Sequence, residues 1–370
     1  MEKAVIPSSD KEKPFRVLTL DGGGMRGLYT AALLQILAKR FDQRFHEKEP
    51  DIGKSFDLIC GTSTGAILAC ALGVGIPLSR VKALYIEHGP RIFTDPMPKG
   101  KRLYPWAFKH RARPAANAQA MKAALSDCFG DTTLAQAYEK RGIALCIPTI
   151  TAVNYRARVL KTPHNKGKHR DNNYRIVDVC MASAAAPIFF PLAKRTGPND
   201  DHTVQHFVDG GLWANNPVLV GLTEALGMVG ADVPIEIVSV GTCDQPSGDP
   251  NKLGDVNWGL KDWQAGVRIV EMSLSAQAFG INATAGFLAQ YLSGCGRSVK
   301  IVRLKESNKS PEQFSAIGLD RANEAAIRTL LSLAEADADH NHSIALSADP
   351  SNLEILTDIF SNLSIKETTE

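Results

Sequence analysis

A serine flanked by glycines, at Gly61-Thr62-Ser63-Thr64-Gly65, is the first place where residue types and spacing point to chemistry. In G-x-S-x-G the two glycines permit a sharp strand-to-helix turn that pushes the serine Oγ out at the edge of a sheet. The helix that follows points its free amides at whatever is bound there. The pattern arises often by chance, and an ordinary glycine-rich turn is the alternative. Here it lies between the apolar run Phe56–Cys60 and an Ala/Leu-rich segment. That is the strand-turn-helix context of a nucleophile.

Asp21-Gly22-Gly23-Gly24-Met25-Arg26-Gly27 follows the run Phe15–Leu20. Gly22, Gly24 and Gly27 also match G-x-G-x-x-G, so a dinucleotide site has to be weighed. That site needs a second strand ending in an acid about 20 residues on, and residues 42–50 (DQRFHEKEP) are too polar to form it. An oxyanion hole fits better. Consecutive glycines expose backbone N–H groups, and Arg26 adds positive charge near a developing oxyanion.

The third constellation is Phe207-Val208-Asp209-Gly210-Gly211, with Asn215-Asn216-Pro217 just beyond. A serine nucleophile needs a base, and a buried aspartate serves if desolvation raises its pKa. The alternative is an aspartate that only binds turn amides. No histidine has a triad-like setting. His206 is three residues before Asp209, which in a strand points it to the opposite face. His340 and His342 lie in a polar stretch, and His88, His110, His164 and His169 have no motif around them. A Ser63–Asp209 dyad is therefore favoured. No H-E-x-x-H or similar spacing occurs, so no metal site is expected.

The elements that must position these groups alternate. Strands are expected at Phe15–Leu20, Phe56–Cys60, Gly142–Thr149, Tyr155–Leu160, Phe207–Asp209, Ile235–Val240 and Val299–Leu304. Helices are expected at Leu28–Phe41, after Gly65, from Ser79 to His88, near 119–127, over Val177–Ala186, from Pro217, and near 319–336 and 352–362, with an amphipathic stretch near 260–293. Such alternation implies an α/β fold with a mostly parallel sheet and helices on both faces. Residues 1–14 read as a frayed terminus, 15–245 as the core, and 246–370 as an extension packed on or completing it. Within the core, residues 92–118 are rich in proline and read as a loop or insertion.

Composition sets the outer limits. The chain has 370 residues, 44% apolar and 22% charged, ordinary values for a globular protein with a sizeable core. A net charge of +3 is too small to argue for a nucleic-acid polymer as partner. The longest apolar run, Ala66–Leu78, is too short for a span of about 20 residues. The N-terminus lacks the apolar core of a signal peptide, so a cytoplasmic location is expected. The cysteines, at 60, 70, 128, 146, 180, 243 and 295, contain no C-x-x-C pair and read as free, mostly buried thiols.

The three motifs, in this order, resemble those of the patatin-like phospholipase family. DGGGMRG looks like the family's oxyanion loop, GTSTG its nucleophile elbow, and DGG the loop carrying the second dyad member. FGDTTL at 129–134, SAAAPIFFP at 183–191 and the NNP after the DGG agree. The resemblance covers roughly residues 15 to 240 and implies a three-layer α/β/α sandwich. It also implies an acyl hydrolase acting on membrane lipids without metal or calcium. By position it makes Ser63 the nucleophile and Asp209 the base. It sets Gly22, Gly23, Gly24 and Arg26 around the oxyanion, with Gly61, Gly65, Gly210 and Gly211 shaping the turns. A scaffold or lipid-binding protein on the same fold is the non-catalytic alternative.

Two basic stretches suggest what else the chain touches. Residues 96–126 carry Lys101, Arg102 and Arg111 among interleaved Tyr104, Trp106 and Phe108, with a single acid, Asp95, just before them. Cations flanking aromatics suit an anionic membrane interface and a peripheral attachment. The second stretch holds Arg156, Arg158, Lys168 and Arg170, and suits a lipid headgroup or a phosphate-bearing activator. Solvated loops are the alternative for both. In length, absent export signal and motif style the chain resembles the phospholipase effectors of bacterial CBASS anti-phage systems. That likeness implies a cyclic dinucleotide as activator; a constitutive lipid acyl hydrolase is the alternative. Residues 250–370 match no family motif and are open to completing the sheet, covering the site or building a homo-oligomer.

Overall fold

Five strands dominated by aliphatic residues run parallel through the centre of the computed structural model, which describes residues 13–46, 48–98, 100–165, 167, 169–196, 204–243, 257–259, 262–263, 266–347 and 354–364. They are β1 (Phe15–Leu20), β2 (Leu58–Gly61), β3 (Ala144–Thr151), β7 (Ile235–Val240) and β8 (Val299–Arg303). β1 lies between β2 and β7, with Leu20 opposite both Gly61 and Val240. Val17, Leu18 and Leu20 are all buried, because helices cover both faces of a parallel sheet.

Three further strands are antiparallel. β4 (Arg156–Lys161) pairs with β3, β6 (Val204–Asp209) pairs with β3, and β5 (Ala193–Thr196) pairs with β6. The expectation of a mostly parallel sheet holds for the centre, while its β3 side is antiparallel. At Cys146, β3 has β2 on one edge and β4 on the other. At Thr149–Thr151 it has β4 and β6. β2 and β6 therefore share one edge of β3 and run toward each other along it. Pro148, which has no N–H to offer a ladder, sits where they meet.

One face of the sheet carries α1 (Gly27–Phe41), α2 (Thr64–Val74) and the helices Ile176–Ser183, Glu324–Leu346 and Glu354–Ser361. The other face carries the helices Val218–Met228 and Val267–Gly294. Residues beyond 245 thus supply a strand of the sheet and parts of both outer layers. Leu330 and Leu333 bury themselves in the core that α1 shares, each stabilising by about 1.5–3 kcal/mol. The Tyr29 hydroxyl of α1 donates to Asp337 at 2.7 Å.

Residues 92–118 correct the loop expectation. They contain the helix Leu103–Lys109, which builds a small satellite core from Leu103, Trp106 and Ala115 against Met97. Pro105 lies in its first turn, where a missing N–H costs nothing. Trp106 is buried and its Nε1 donates to the Asp95 carbonyl at 3.2 Å. It therefore packs the segment from inside and is not a membrane or ligand contact.

Candidate active site

Ser63 occupies the single residue between the β2 turn and α2, at φ 55° and ψ −118°. A side chain is rarely held in that region of backbone space, and it persists only where the surroundings over-determine it. They do so here. The Ser63 amide donates to Ser183 Oγ at 2.9 Å, and Ser183 Oγ donates to the Pro148 carbonyl at 2.7 Å. Thr62 Oγ1 donates to the Ala214 carbonyl at 2.6 Å. The glycines of the turn are needed for space. A Cβ on Gly61 would meet the Gly65 carbonyl at 2.1 Å, and one on Gly65 would meet the Leu20 carbonyl at 2.2 Å.

β6 delivers Asp209 to the same point from the opposite direction. Ser63 Oγ donates to Asp209 Oδ2 at 2.7 Å, and the Gly211 amide donates to Oδ1 at 2.6 Å. Burial pushes the Asp209 carboxyl up to about 6, against the pull of the hydrogen bonds from Gly211 and Ser63. Gly210 packs against the Pro148 carbonyl, where a Cβ would lie at 2.2 Å. Among the described residues, those lining the cavity at Ser63 and Asp209 include no histidine.

The glycine loop after β1 faces this pair. Thr242 Oγ1 donates to the Gly22 carbonyl at 3.0 Å, and Arg26 Nε donates to the Gly23 carbonyl at 3.4 Å. A peptide unit is planar and trans, so holding its carbonyl on one side aims its N–H to the other. The N–H groups so aimed belong to Gly23 and Gly24. Neither has a hydrogen-bond partner among the described residues. The Gly22 amide differs from the sequence expectation. It is committed to the Asn215 carbonyl at 2.9 Å and is not free to bind an oxyanion. Gly24 has φ +56°, and Leu319 closes over it, its carbonyl accepting from Met25 N at 2.7 Å.

A cavity of about 370 Å³ opens onto Ser63 and Asp209. Its walls are apolar, with Ile67, Ile92, Met121, Leu125 and Phe190 from the family region. Phe314, Ile317 and Leu319 close one side, and Val270 and Leu274 of the helix Val267–Gly294 stand on another. Sequence reasoning missed this C-terminal wall, and also Ser183, Thr242 and Asn215. Only Ser183 and Asn215 had a signal, as members of the SAAAP and NNP segments.

The basic residues divide. Lys101, Arg102 and Arg111 are exposed, and the Arg111 guanidinium lies 3.9 Å over the Phe108 ring. Arg156 and Arg170 are exposed too. Arg158 is already engaged within the fold. It is half-buried, in an ion pair with Asp171 at 2.8 Å, and stacks beside Tyr174 and Phe207. Lys168 lies outside the described residues.

A second buried polar cluster lies in the other core layer, where Cys146, His164 and Glu224 place their ligand-type atoms within 4.8 Å of one another. These residues are satisfied internally. Glu224 accepts from Lys161, from Asn165 Nδ2 at 2.5 Å and bonds His164 Nε2 at 3.0 Å, while His164 Nδ1 bonds Thr162 Oγ1 at 2.8 Å. Burial would raise the Glu224 carboxyl, but His164, Lys161 and Asn165 bring it down to about 2. Lys161 already supplies the positive charge that a metal would bring.

Residues 18–222 match the family described as patatin-like phospholipase, and the chain belongs to that family. It is 30% identical over 328 residues to a cGAMP-activated phospholipase of Vibrio cholerae serotype O1, covering 86% of this chain and 88% of that one. It is 31% identical over 327 residues to a cGAMP-activated phospholipase of Pseudomonas aeruginosa, covering 85% and 89%. Among solved structures, human GIVD cytosolic phospholipase A2 is similar at a TM-score of 0.45 and 11% identity, over 94% of this chain and 60% of that one. The family expected from DGGGMRG, GTSTG and DGG is the family found.

Proposed function

We propose that the protein is a phospholipase A-type serine acyl hydrolase that cleaves fatty-acyl esters of membrane phospholipids through Ser63 and Asp209. The observation that carries this reading is the 2.7 Å Ser63 Oγ–Asp209 Oδ2 hydrogen bond at the floor of an apolar cavity. Asp209 takes the Ser63 proton as Oγ attacks the ester carbonyl carbon. The amides of Gly23 and Gly24, with the Arg26 charge behind them, stabilise the oxyanion. The intermediate collapses, the bond between the acyl carbon and the ester oxygen breaks, and Asp209 returns the proton to the oxygen of the departing lysolipid. Water then attacks the acyl-Ser63 carbonyl, giving its proton to Asp209, and fatty acid leaves as Ser63 Oγ is reprotonated. A base titrating near 6 is ionised at neutral pH yet stronger than a surface carboxylate. The reaction uses protein groups and water alone.

Likeness to two phospholipases named as cGAMP-activated, over most of both chains, supports a cyclic dinucleotide switch and a role in anti-phage defence. Exposed Lys101, Arg102 and Arg111 support peripheral attachment to the inner leaflet of the membrane from the cytoplasm. The test is fatty-acid release from phospholipid vesicles by wild type and Ser63→Ala, with and without cGAMP. Release by wild type only with cGAMP, and none by the variant, is expected. Ser63-dependent release without nucleotide would make the enzyme constitutive. Equal release by both proteins would end the serine mechanism.

A further inference from the structure

We propose that the apolar outer face of the helix Val267–Gly294, uncharged from Met272 onward, together with the cavity mouth it borders, is the surface that lies on an anionic lipid bilayer. This rests on the acyl-hydrolase reading and names the side from which its substrate arrives. The helix has 28 residues, about 42 Å of length. No Asp, Glu, Lys or Arg occurs from Met272 through Gly296. A helix on a water-facing surface normally carries charge on its outer side. Here Ile269, Met272, Phe279, Phe287 and Tyr291 fall on one side by their spacing, and Phe279, Phe287 and Tyr291 are 80%, 71% and 69% exposed. The inner side is already occupied: Ala285 and Ala289 are buried, with Ile281 and Leu292 partly buried, against the layer of Val218 and Leu222. The fold therefore does not account for the outer stripe, and large apolar side chains gathered on one face of a helix are unlike scattered exposed residues.

Two observations select lipid as the occupant. The first is continuity with the cavity. Val270, Leu274 and Ser275 of this helix line it, as do the exposed Ile188 and Leu212. Gln277 fastens the helix to the loop after Asp209, donating to the Leu212 carbonyl and accepting from Asn215 N, both at 3.0 Å. The second is charge. The Ala115 and Ala116 amides donate to the Ile188 and Phe189 carbonyls at 3.1 and 2.9 Å. The segment carrying exposed Lys101, Arg102, Arg111, Tyr104 and Phe108 thus joins the same mouth. An apolar face rimmed by cations matches an anionic bilayer, each cation near the surface adding about fivefold to binding. No helix among the described residues is long and apolar enough to cross a membrane, so the face would lie on the bilayer.

The experiment uses the full chain with cGAMP present and vesicles of phosphatidylglycerol and phosphatidylethanolamine. Binding is measured by co-sedimentation in the Ser63→Ala background, which keeps the vesicles intact. Phe279→Asp with Phe287→Asp should weaken binding at least about tenfold. With Ser63 restored, the same pair should turn over a soluble short-chain ester as wild type does, which shows that it folds. Phe279→Trp should shift its emission to the blue when vesicles are added. Unchanged binding by the aspartate pair, or an unshifted Phe279→Trp spectrum, overturns the proposal. So does a fall in molar mass by light scattering with vesicle binding intact, which would make the face a contact between copies of this chain. Wild type that hydrolyses neither soluble ester nor phospholipid sinks the acyl-hydrolase reading separately, and the binding arm still judges the face.

Discussion

Asp209 is a buried carboxylate and Glu224 a half-buried one, and their surroundings push them in opposite directions. Asp209 is met only by neutral donors, the Ser63 hydroxyl and the Gly211 amide, and burial holds it at about 6. Glu224 is met by Lys161 and His164 as well as Asn165, and these overcome burial and hold it at about 2. An acid pinned by cations is a structural brace with no appetite for a proton. An acid left without a cation is a base in waiting, and it costs stability. The Ser63 cluster bears the second kind and the Cys146 cluster the first, which is why chemistry is assigned to one and architecture to the other.

The sharpest way to break that contrast is substitution. Ser63→Ala and Asp209→Asn should each lower esterase turnover by about a thousandfold or more. Asp209→Asn should also melt a few degrees higher than wild type at neutral pH, because it removes an ionisation that costs about 3 kcal/mol. A fully active Asp209→Asn protein would end the dyad. Glu224→Gln should do the reverse, leaving Lys161 and His164 without their counter-charge. A stability loss of about 3 kcal/mol by denaturant titration, with turnover per folded molecule unchanged, is expected. Loss of turnover in a stably folded Glu224→Gln protein would erase the distinction.

The pH dependences should also part company. Asp209 holds its proton in the fold up to about 6, against 3.8 for an ordinary aspartate carboxyl. Its contribution to stability is therefore full below the unfolded value and lost as pH rises between the two. Catalysis runs the other way, with kcat/KM falling about tenfold per pH unit below about 6 as the base becomes protonated. Glu224 stabilises above its unfolded value, 4.5, and loses that contribution as pH falls toward 2. Measuring kcat/KM and melting temperature across acid pH tests both signs. The smallest expected effect is Thr242→Val. It removes the donor that holds the Gly22 carbonyl and should lower kcat about tenfold while leaving KM and melting nearly unchanged. Wild-type kcat in that variant would show that the glycine loop holds its aim without it.

The chemistry-bearing turns were legible because each needs a residue type that little else can replace. Gly61 and Gly65 admit neighbouring backbone that a side chain would strike, and Ser63 sits where strand gives way to helix. Asp209 was legible as a strand end before a glycine pair. Its reach to Ser63 was not, because that depends on β2 and β6 meeting head to head on β3, a pairing between segments far apart in the chain. The same blindness misjudged Trp106 and Arg158. Each looks like surface in its local run, but Trp106 is buried with Leu103 and Ala115 and Arg158 is half-buried against Asp171 and Tyr174, partners that a linear reading does not bring together.

Local pattern thus carried the family, the α/β alternation, and the serine and aspartate proposed as nucleophile and base, since strand-turn-helix signals and glycine requirements are written over a few adjacent residues. Packing carried the rest. The pKa of Asp209, the aim of the Gly23 and Gly24 amides, and the cavity wall from Phe314 to Leu319 all come from groups brought together across the chain. Burial, hydrogen-bond direction and cavity shape are properties of that assembly, because each depends on which distant surfaces have excluded water together.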